Sequence, residues 1–347
     1  MGAGEGGQGD SMRVLSGQRS GVSKTVHCLA LGAMLLALCM SVEAQQPKKI
    51  PRIGFLMPGS RADYAVRIEA FQNGLRELGY IEGQNIAIEW RFAEGKSARL
   101  ADIAADLVRL KVDVIVTSTT PVAAAAARAT RSIPIVMAAT ADPVGTGLVA
   151  SLSHPGGNIT GLSMLGPESD GKALEVLQET LPKLARVAFL WDPTNAGMAS
   201  RLKALEGAGQ SLRLQIQSLE VRTSNELEST LESAISNRAG ALFVPAGFAS
   251  VYRKRIVEFA AKKRLPAMFN DSESAEAGGL MSYGVYLPAL FHRAATYVDK
   301  ILKGTKAADI PVEQPTKFEF IINLKAAKQI GLTIPPNVLA RADKVIK

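Results

Sequence analysis

From Pro51 onward, short runs of β-branched and aliphatic residues alternate with segments whose apolar residues recur every three or four positions. The first pattern suits strands and the second amphipathic helices, so their alternation predicts βαβ units and a parallel sheet. In the first half, 52–57, 85–91, 113–117, 134–138 and 159–164 read as strands, with helices at 62–78, 97–110 and 121–129. On the helix 62–78, Val66, Ile68, Phe71, Leu75 and Leu78 form one apolar stripe, and Gly79 stops the helix at its C′ position. The second half repeats the scheme with strands at 186–191, 212–221, 240–244, 266–269 and 280–283. Its helices fall near 196–208, 225–236, 251–263 and 288–302. A Pro-punctuated stretch (309–315), an extended run (318–322) and a short helix (324–330) follow.

The halves also echo each other residue by residue. Arg52-Ile53-Gly54-Phe55-Leu56-Met57-Pro58 returns about 130 residues later as Arg186-Val187-Ala188-Phe189-Leu190-Trp191-Asp192-Pro193. Asp113-Val114-Ile115-Val116 matches Gly240-Ala241-Leu242-Phe243-Val244, and Ile133-Pro134-Ile135-Val136-Met137 matches Leu265-Pro266-Ala267-Met268-Phe269. A repeat of that length is a domain rather than a solenoid turn. Two similar α/β lobes in one chain enclose a cleft. The tail completes neither lobe alone and is expected to thread back across the hinge, giving three crossings. The resulting division is an N-terminal lobe at 45–163 completed by about 284–310, and a C-terminal lobe at 164–283 completed by about 311–347.

The N-terminus carries a different pattern. An apolar run of 13 residues, 28–40, follows Arg13, Arg19 and Lys24 and precedes Val42-Glu43-Ala44. This describes a secretory signal peptide at 1–44, with a core too short to span a bilayer, cleaved to leave a mature chain from Gln45. The Gly-rich stretch before Met12 is unusual for such a leader, and translation from Met1 or from Met12 are both compatible with the sequence. Leu38 stands where a lipid-attachment site at Cys39 would need a small residue, so the mature protein is expected to be lipid-free and periplasmic. Both cysteines, Cys28 and Cys39, lie in the leader. The mature chain therefore forms no disulfide and has no thiol for catalysis or metal binding, which suits an exported chain large enough to bury its own core.

The formal net charge is +8, and Arg13, Arg19 and Lys24 of the leader cancel Glu5, Asp10 and Glu43. Arg253-Lys254-Arg255 and Lys262-Lys263-Arg264 sit on helical patterns without an adjacent aromatic platform, which reads as a solvated helix face and not as a nucleic-acid surface. No Gly-x-Ser-x-Gly elbow, phosphate loop or Gly-x-Gly-x-x-Gly fingerprint occurs. The mature chain has only His154, in a Pro-Gly-Gly turn, and His292, on a helical stretch, and no spacing announces a metal site. The expectation is a protein without catalytic residues, cofactor or metal.

Four segments carry a resemblance: Pro134-Ile135-Val136-Met137 with Thr140-Ala141-Asp142-Pro143-Val144-Gly145, then His154-Pro155-Gly156-Gly157-Asn158-Ile159-Thr160-Gly161-Leu162-Ser163, then Gly279-Leu280-Met281-Ser282-Tyr283-Gly284, and Ile330-Gly331-Leu332-Thr333-Ile334-Pro335. Over residues 50–346 the chain resembles the exported substrate-binding proteins of ABC transporters, in particular the family with tryptophan- and tyrosine-binding members. The resemblance implies a type I periplasmic-binding fold, two Rossmann-like parallel-sheet lobes joined by a multi-strand hinge and closing over a small molecule. It also implies membrane permease and ATPase partners, with the chain itself a monomer. A ligand-sensing subunit that hands its bound form to a membrane receptor would share fold, cleft and compartment.

In open α/β sheets ligands bind beyond the carboxyl ends of the strands. In the first lobe that rule selects Ser118, Thr119 and Thr120, with Thr120 as N-cap and Pro121 as first residue of a helix whose N-terminus can seat a carboxylate. The same residues would also serve as a plain helix cap. Thr140 and Asp142 follow the next strand, where Asp142 either shapes a turn before Pro143 or pairs with a ligand ammonium. Pro58, Gly59 and Ser60 complete that side. The second lobe offers Asp192 and Asn195, Pro245 and Ala246, and Asn270 and Asp271. Tyr283 is the aromatic candidate, preferred over Trp191, whose strand position suits the core. Acidic groups facing helix N-termini suit a zwitterion such as an amino acid.

Overall fold

In the computed structural model, β1 (Arg52–Met57) lies between β2 (Ala87–Phe92) and β3 (Val114–Thr117), and β4 (Ile135–Ala141) and β5 (Ile159–Met164) extend the sheet. All pairings are parallel, in the order β2-β1-β3-β4-β5. The structure describes residues 49–347 except 165, 166 and 316, with 167 and 168 described by their backbone alone. The expected signal peptide at 1–44 lies outside the described residues.

The second sheet repeats this winding. β6 (Arg186–Trp191), β7 (Gln215–Glu220), β8 (Ala241–Val244), β9 (Ala267–Phe269) and β10 (Met281–Val285) run parallel as β7-β6-β8-β9-β10. The echoed segments therefore fall on equivalent strands, β1 with β6, β3 with β8, and β4 with β9. Two tail strands widen this sheet: β11 (Phe318–Asn323) is antiparallel to β10, and β12 (Lys344–Ile346) is parallel to β11. The central strands are covered on both faces, which is why they read as continuous apolar runs without alternation.

Eleven helices connect and cover the sheets among the described residues: α1 (Ala65–Glu77), α2 (Leu100–Arg109), α3 (Thr120–Ala129), α4 (Pro167–Thr180), α5 (Ala196–Ser211), α6 (Leu227–Ser236), α7 (Ala246–Lys263), α8 (Ser272–Glu276), α9 (Leu287–Leu302), α10 (Leu324–Ile330) and α11 (Pro336–Leu339). On α1 only part of the expected stripe is buried. Ile68, Phe71 and Leu75 pack with Phe291, Ala294 and Ala295 of α9, whereas Val66 and Leu78 are 51% and 37% exposed. Arg67 takes a buried place on the same helix. Three features have no counterpart among the sequence-derived elements: α4, the first turn of α7, and the short trio α8, α11 and β12. α4 buries Ala173, Leu174, Val176 and Leu177, a helical spacing present in the sequence. α7 begins five residues before the expected 251, because Pro245 sits at its N-cap and Ala246-Gly247 continue as helix.

The chain leaves the first sheet after β5, returns after β10 into α9, and crosses once more before β11. Helix α9 covers the first sheet by packing on α1, β4 and β5. The third crossing is pinned where Glu313 N–H donates to Gly161 O at 3.0 Å and Ser163 N–H donates to Glu313 O at 2.8 Å. Thr160 Oγ1 donates to Ile310 O at 2.6 Å just before it.

Candidate functional site

A cavity of about 90 Å³ lies between the two sheets. Its walls come from loops beyond the carboxyl ends of strands in both lobes. Pro58 follows β1, Thr119, Thr120 and Pro121 follow β3, Asp192 and Asn195 follow β6, and Pro245, Gly247 and Phe248 follow β8.

Two helices begin at this cavity without a side-chain cap. α3 starts at Thr120 after Thr119, and α7 starts at Ala246 after Pro245. Uncapped helix starts present unpaired backbone N–H groups and a partial positive charge. The two starts are close, since a Cβ built on Gly247 would lie 3.8 Å from Thr119 Cγ2. The helix register differs by one from the expectation: Thr119 is the N-cap, Thr120 the first helical residue and Pro121 the second. Thr120 Oγ1 donates to Ala141 O at 3.0 Å, tying the helix start to the end of β4.

Opposite charge is present too. Asp192 lines the cavity, and its Oδ1 accepts from Thr194 N–H at 2.8 Å and Thr194 Oγ1 at 2.7 Å. Asn195 caps α5, accepting from Gly197 N–H at 3.3 Å. The apolar wall is aromatic: Phe248 and Tyr252 pack with ring centroids 4.9 Å apart, one helical turn along α7. Burial, with the Asp192 carboxylate nearby, raises the Tyr252 phenol above its usual pKa. Arg201 also lines the cavity, its Nε and Nη2 donating to Asp170 at 2.5 and 2.6 Å and Nη2 to Asn270 Oδ1 at 2.8 Å.

The family model for ABC transporter substrate binding proteins matches residues 61–346. The chain belongs to that family. It is a solute-binding protein, not an enzyme. It is similar to a tyrosine-binding protein of Clostridioides difficile, 29% identical over 265 residues, 76% of either chain. It is also similar to the ABC domain of Streptococcus pneumoniae solved in complex with L-Trp, with 28% identity, a TM-score of 0.79, and 85% of this chain and 99% of that one covered. A conserved domain protein of Vibrio cholerae gives a TM-score of 0.80 at 27% identity, covering 86% of this chain and 100% of that one. These neighbours share the type I periplasmic-binding fold.

Within this substrate-binding protein the residues singled out from sequence divide into two groups. Thr119, Thr120, Asp192 and Asn195 come together at the cavity, with Pro58 and Pro245. Ser118, Thr140, Asp142, Asn270, Asp271 and Tyr283 do not line it. Ser118 and Thr140 are buried, and neither hydroxyl has a partner among the described residues. Asp142 shapes its own turn at φ 42°, accepting from Gly145 N–H at 2.8 Å. Asn270 braces the interior by donating to Tyr283 O at 3.1 Å and accepting from Arg201. Asp271 caps α8 by accepting from Ser274 N–H at 2.9 Å. The Tyr283 ring packs on Phe318 and Phe320 of the tail strand β11. Gly59, Ser60 and Ala246 also stand outside the lining; Ser60 is held by Asp63.

The lining residues missed from sequence are chiefly Phe248, Val251 and Tyr252 on α7, Met198 and Arg201 on α5, and Arg222 after β7. Their spacing carried a signal. Phe248, Val251 and Tyr252 recur at helical intervals, and the helix expected near 251–263 left out only the first turn, which carries Phe248.

Proposed function

We propose that this protein captures a small zwitterion with an aromatic side chain, an amino acid of the tyrosine and tryptophan type. The lobes close over it and present it to an ABC permease whose ATPase drives import. Export by the leader at 1–44 places the protein in the periplasm. The observation that carries this reading is the make-up of one cavity: Asp192 and the Phe248–Tyr252 pair share it with the open N-termini of α3 and α7. A carboxylate is favoured at helix N-termini, an ammonium beside a carboxylate, and a ring against offset rings. The tyrosine-binding relative and the neighbour solved in complex with L-Trp support the same ligand class. Mechanically, the ligand touches both lobes only when they are shut, so it selects the shut state. Moving that population from about 1:99 to 99:1 takes roughly 5.5 kcal/mol of preference.

Calorimetry on the mature protein with L-tyrosine, L-tryptophan and L-phenylalanine is expected to give at least one saturable binding isotherm. Tyramine lacks the carboxylate and 3-phenylpropionate the ammonium, so both should bind at least tenfold more weakly, about 1.4 kcal/mol. Equal binding of the truncated compounds, or silence across the panel, would reject the reading.

The Ser118-Thr119-Thr120 segment gives a second test. If it seats the carboxylate, changing all three residues to alanine should weaken binding about tenfold or more, since hydrogen bonds to a charged group are worth roughly 1.5–3 kcal/mol each. If it serves only local structure, losing the Thr120–Ala141 hydrogen bond should lower stability by about 1 kcal/mol and leave binding as before. Melting and titration of the same variant separate the two.

A further inference from the structure

Beside the cavity, the lobes meet through a buried ion cluster whose charged residues do not line it. Arg67 on α1 belongs to the first lobe, while Glu273 on α8, with Ser250 and Arg253 on α7, belongs to the second. The Arg67 guanidinium donates to both oxygens of Glu273, from Nε at 2.8 and 3.0 Å and also from Nη2, and its Nη1 donates to Ser250 Oγ at 2.7 Å. Arg253 donates to the same carboxylate at 2.7 Å, pairs with Asp271, and reaches back to Asp63 O of the first lobe at 3.4 Å. The Arg67 and Glu273 side chains are 3% and 9% exposed. The Tyr64 ring lies under the Arg67 guanidinium, 5.0 Å from its centroid. Two arginines and two carboxylates make the cluster neutral overall. Arg253, read from sequence as part of a solvated face, is in fact inside it.

We propose that Arg67 and Glu273 are positioning residues for ligand capture, forming a latch that exists only when the lobes are shut. This rests on the capture mechanism above and adds a determinant of affinity remote from the ligand. The coupling is geometric. Helix α7 carries Gly247, Phe248, Val251 and Tyr252 to the cavity, while Ser250 and Arg253 on its neighbouring face go to the latch. The movement that brings α7 against α3 therefore also brings Ser250 and Glu273 to Arg67. Opening the cleft separates Arg67 from Glu273 and returns both to water, where neither needs a partner. Closing without Glu273 leaves the Arg67 guanidinium buried with only the Ser250 hydroxyl of the second lobe, and closing without Arg67 leaves the Glu273 and Asp271 carboxylates sharing the one guanidinium of Arg253, and either state is unfavourable. The latch thus makes the shut geometry specific, because the bidentate fork is satisfied at one relative position of the lobes.

The test reads lobe separation directly. Residues 49–347 contain no cysteine, so Glu69→Cys on α1 and Glu258→Cys on α7, both exposed, accept spin labels, one per lobe. Electron–electron distance measurements are made without ligand and with L-tyrosine, L-tryptophan or L-phenylalanine, in the otherwise unaltered protein and in Arg67→Met. Without ligand, Arg67→Met is expected to lower the ratio of short-distance to long-distance molecules at least tenfold. With whichever of the three closes the unaltered protein, the same variant should need at least tenfold more ligand to reach half closure. Glu273→Gln, which keeps the side chain's shape, should act in the same direction, and the ligand-free melting temperatures should change little, as the open form leaves both residues in water. Unchanged distance distributions overturn the latch, as does a loss of ligand-free melting temperature that accounts for the whole effect. If none of L-tyrosine, L-tryptophan and L-phenylalanine moves the unaltered protein's distances, the proposed ligand class is rejected, while the ligand-free comparison still decides the latch.

Discussion

Arg201→Met is expected to destabilise the protein by about 3–5 kcal/mol, the range for breaking one side of a buried ion pair. Asp170 is 1% exposed and accepts two charge-assisted hydrogen bonds from Arg201. Among the described residues, removing the guanidinium leaves that carboxylate a 3.4 Å contact from Asn270 Nδ2, and frees the Asn270 Oδ1 that Arg201 now holds. At roughly 2–4 °C per kcal/mol for a chain of this size, the melting temperature should fall by on the order of 10 °C. Arg201→Met with Asp170→Leu removes the stranded charge as well, and should recover much of the loss. Thermal unfolding followed by circular dichroism checks both. A single variant that melts with the unaltered protein would show that water reaches Asp170. Because Arg201 lines the cavity, the double variant also reports on ligand affinity in a folded protein.

Gly161→Ala should cost on the order of 4 kcal/mol, at the upper end for single substitutions. Gly161 lies in β5 at φ +131°, a conformation that side-chain-bearing residues rarely adopt. A Cβ there would come within 2.2 Å of Met137 O and 2.5 Å of Met137 N, both backbone atoms of the paired strand β4. Neither can swing away as a flexible side chain would. Gly161 O also accepts from Glu313 at the third crossing, so displacement of β5 should disturb the hinge as well as the sheet. Urea unfolding gives the stability change directly, and a loss under 1 kcal/mol would contradict this account.

Asp142 and Tyr283 show why the candidate site was less legible than the fold. Both lie after or near the carboxyl end of a strand, where the rule for α/β sheets places ligands. Asp142 turns back on Gly145, and Tyr283 is claimed by Phe318 and Phe320, which arrive from a strand 35 residues further along the chain. Nothing local in sequence announces that β11 pairs with β10. Thr119, Thr120, Asp192 and Asn195, which the same rule selects, do line the cavity, because their loops lead directly into helices there.

The sequence by itself determined the strands and most helices, because burial on both faces of a parallel sheet forces continuous apolar runs and the helices between them must be amphipathic. It determined the duplication as well, since equivalent strands β1 and β6, β3 and β8, and β4 and β9 keep similar residues. Tertiary structure alone decided which loop residues share a cavity and that Arg67 is inside. Arg67 sits among Arg61, Val66 and Glu69 in sequence, and local periodicity marks it as one more polar position on a surface helix. Its burial follows from Glu273, more than two hundred residues away, because a guanidinium leaves water only where a partner carboxylate meets it.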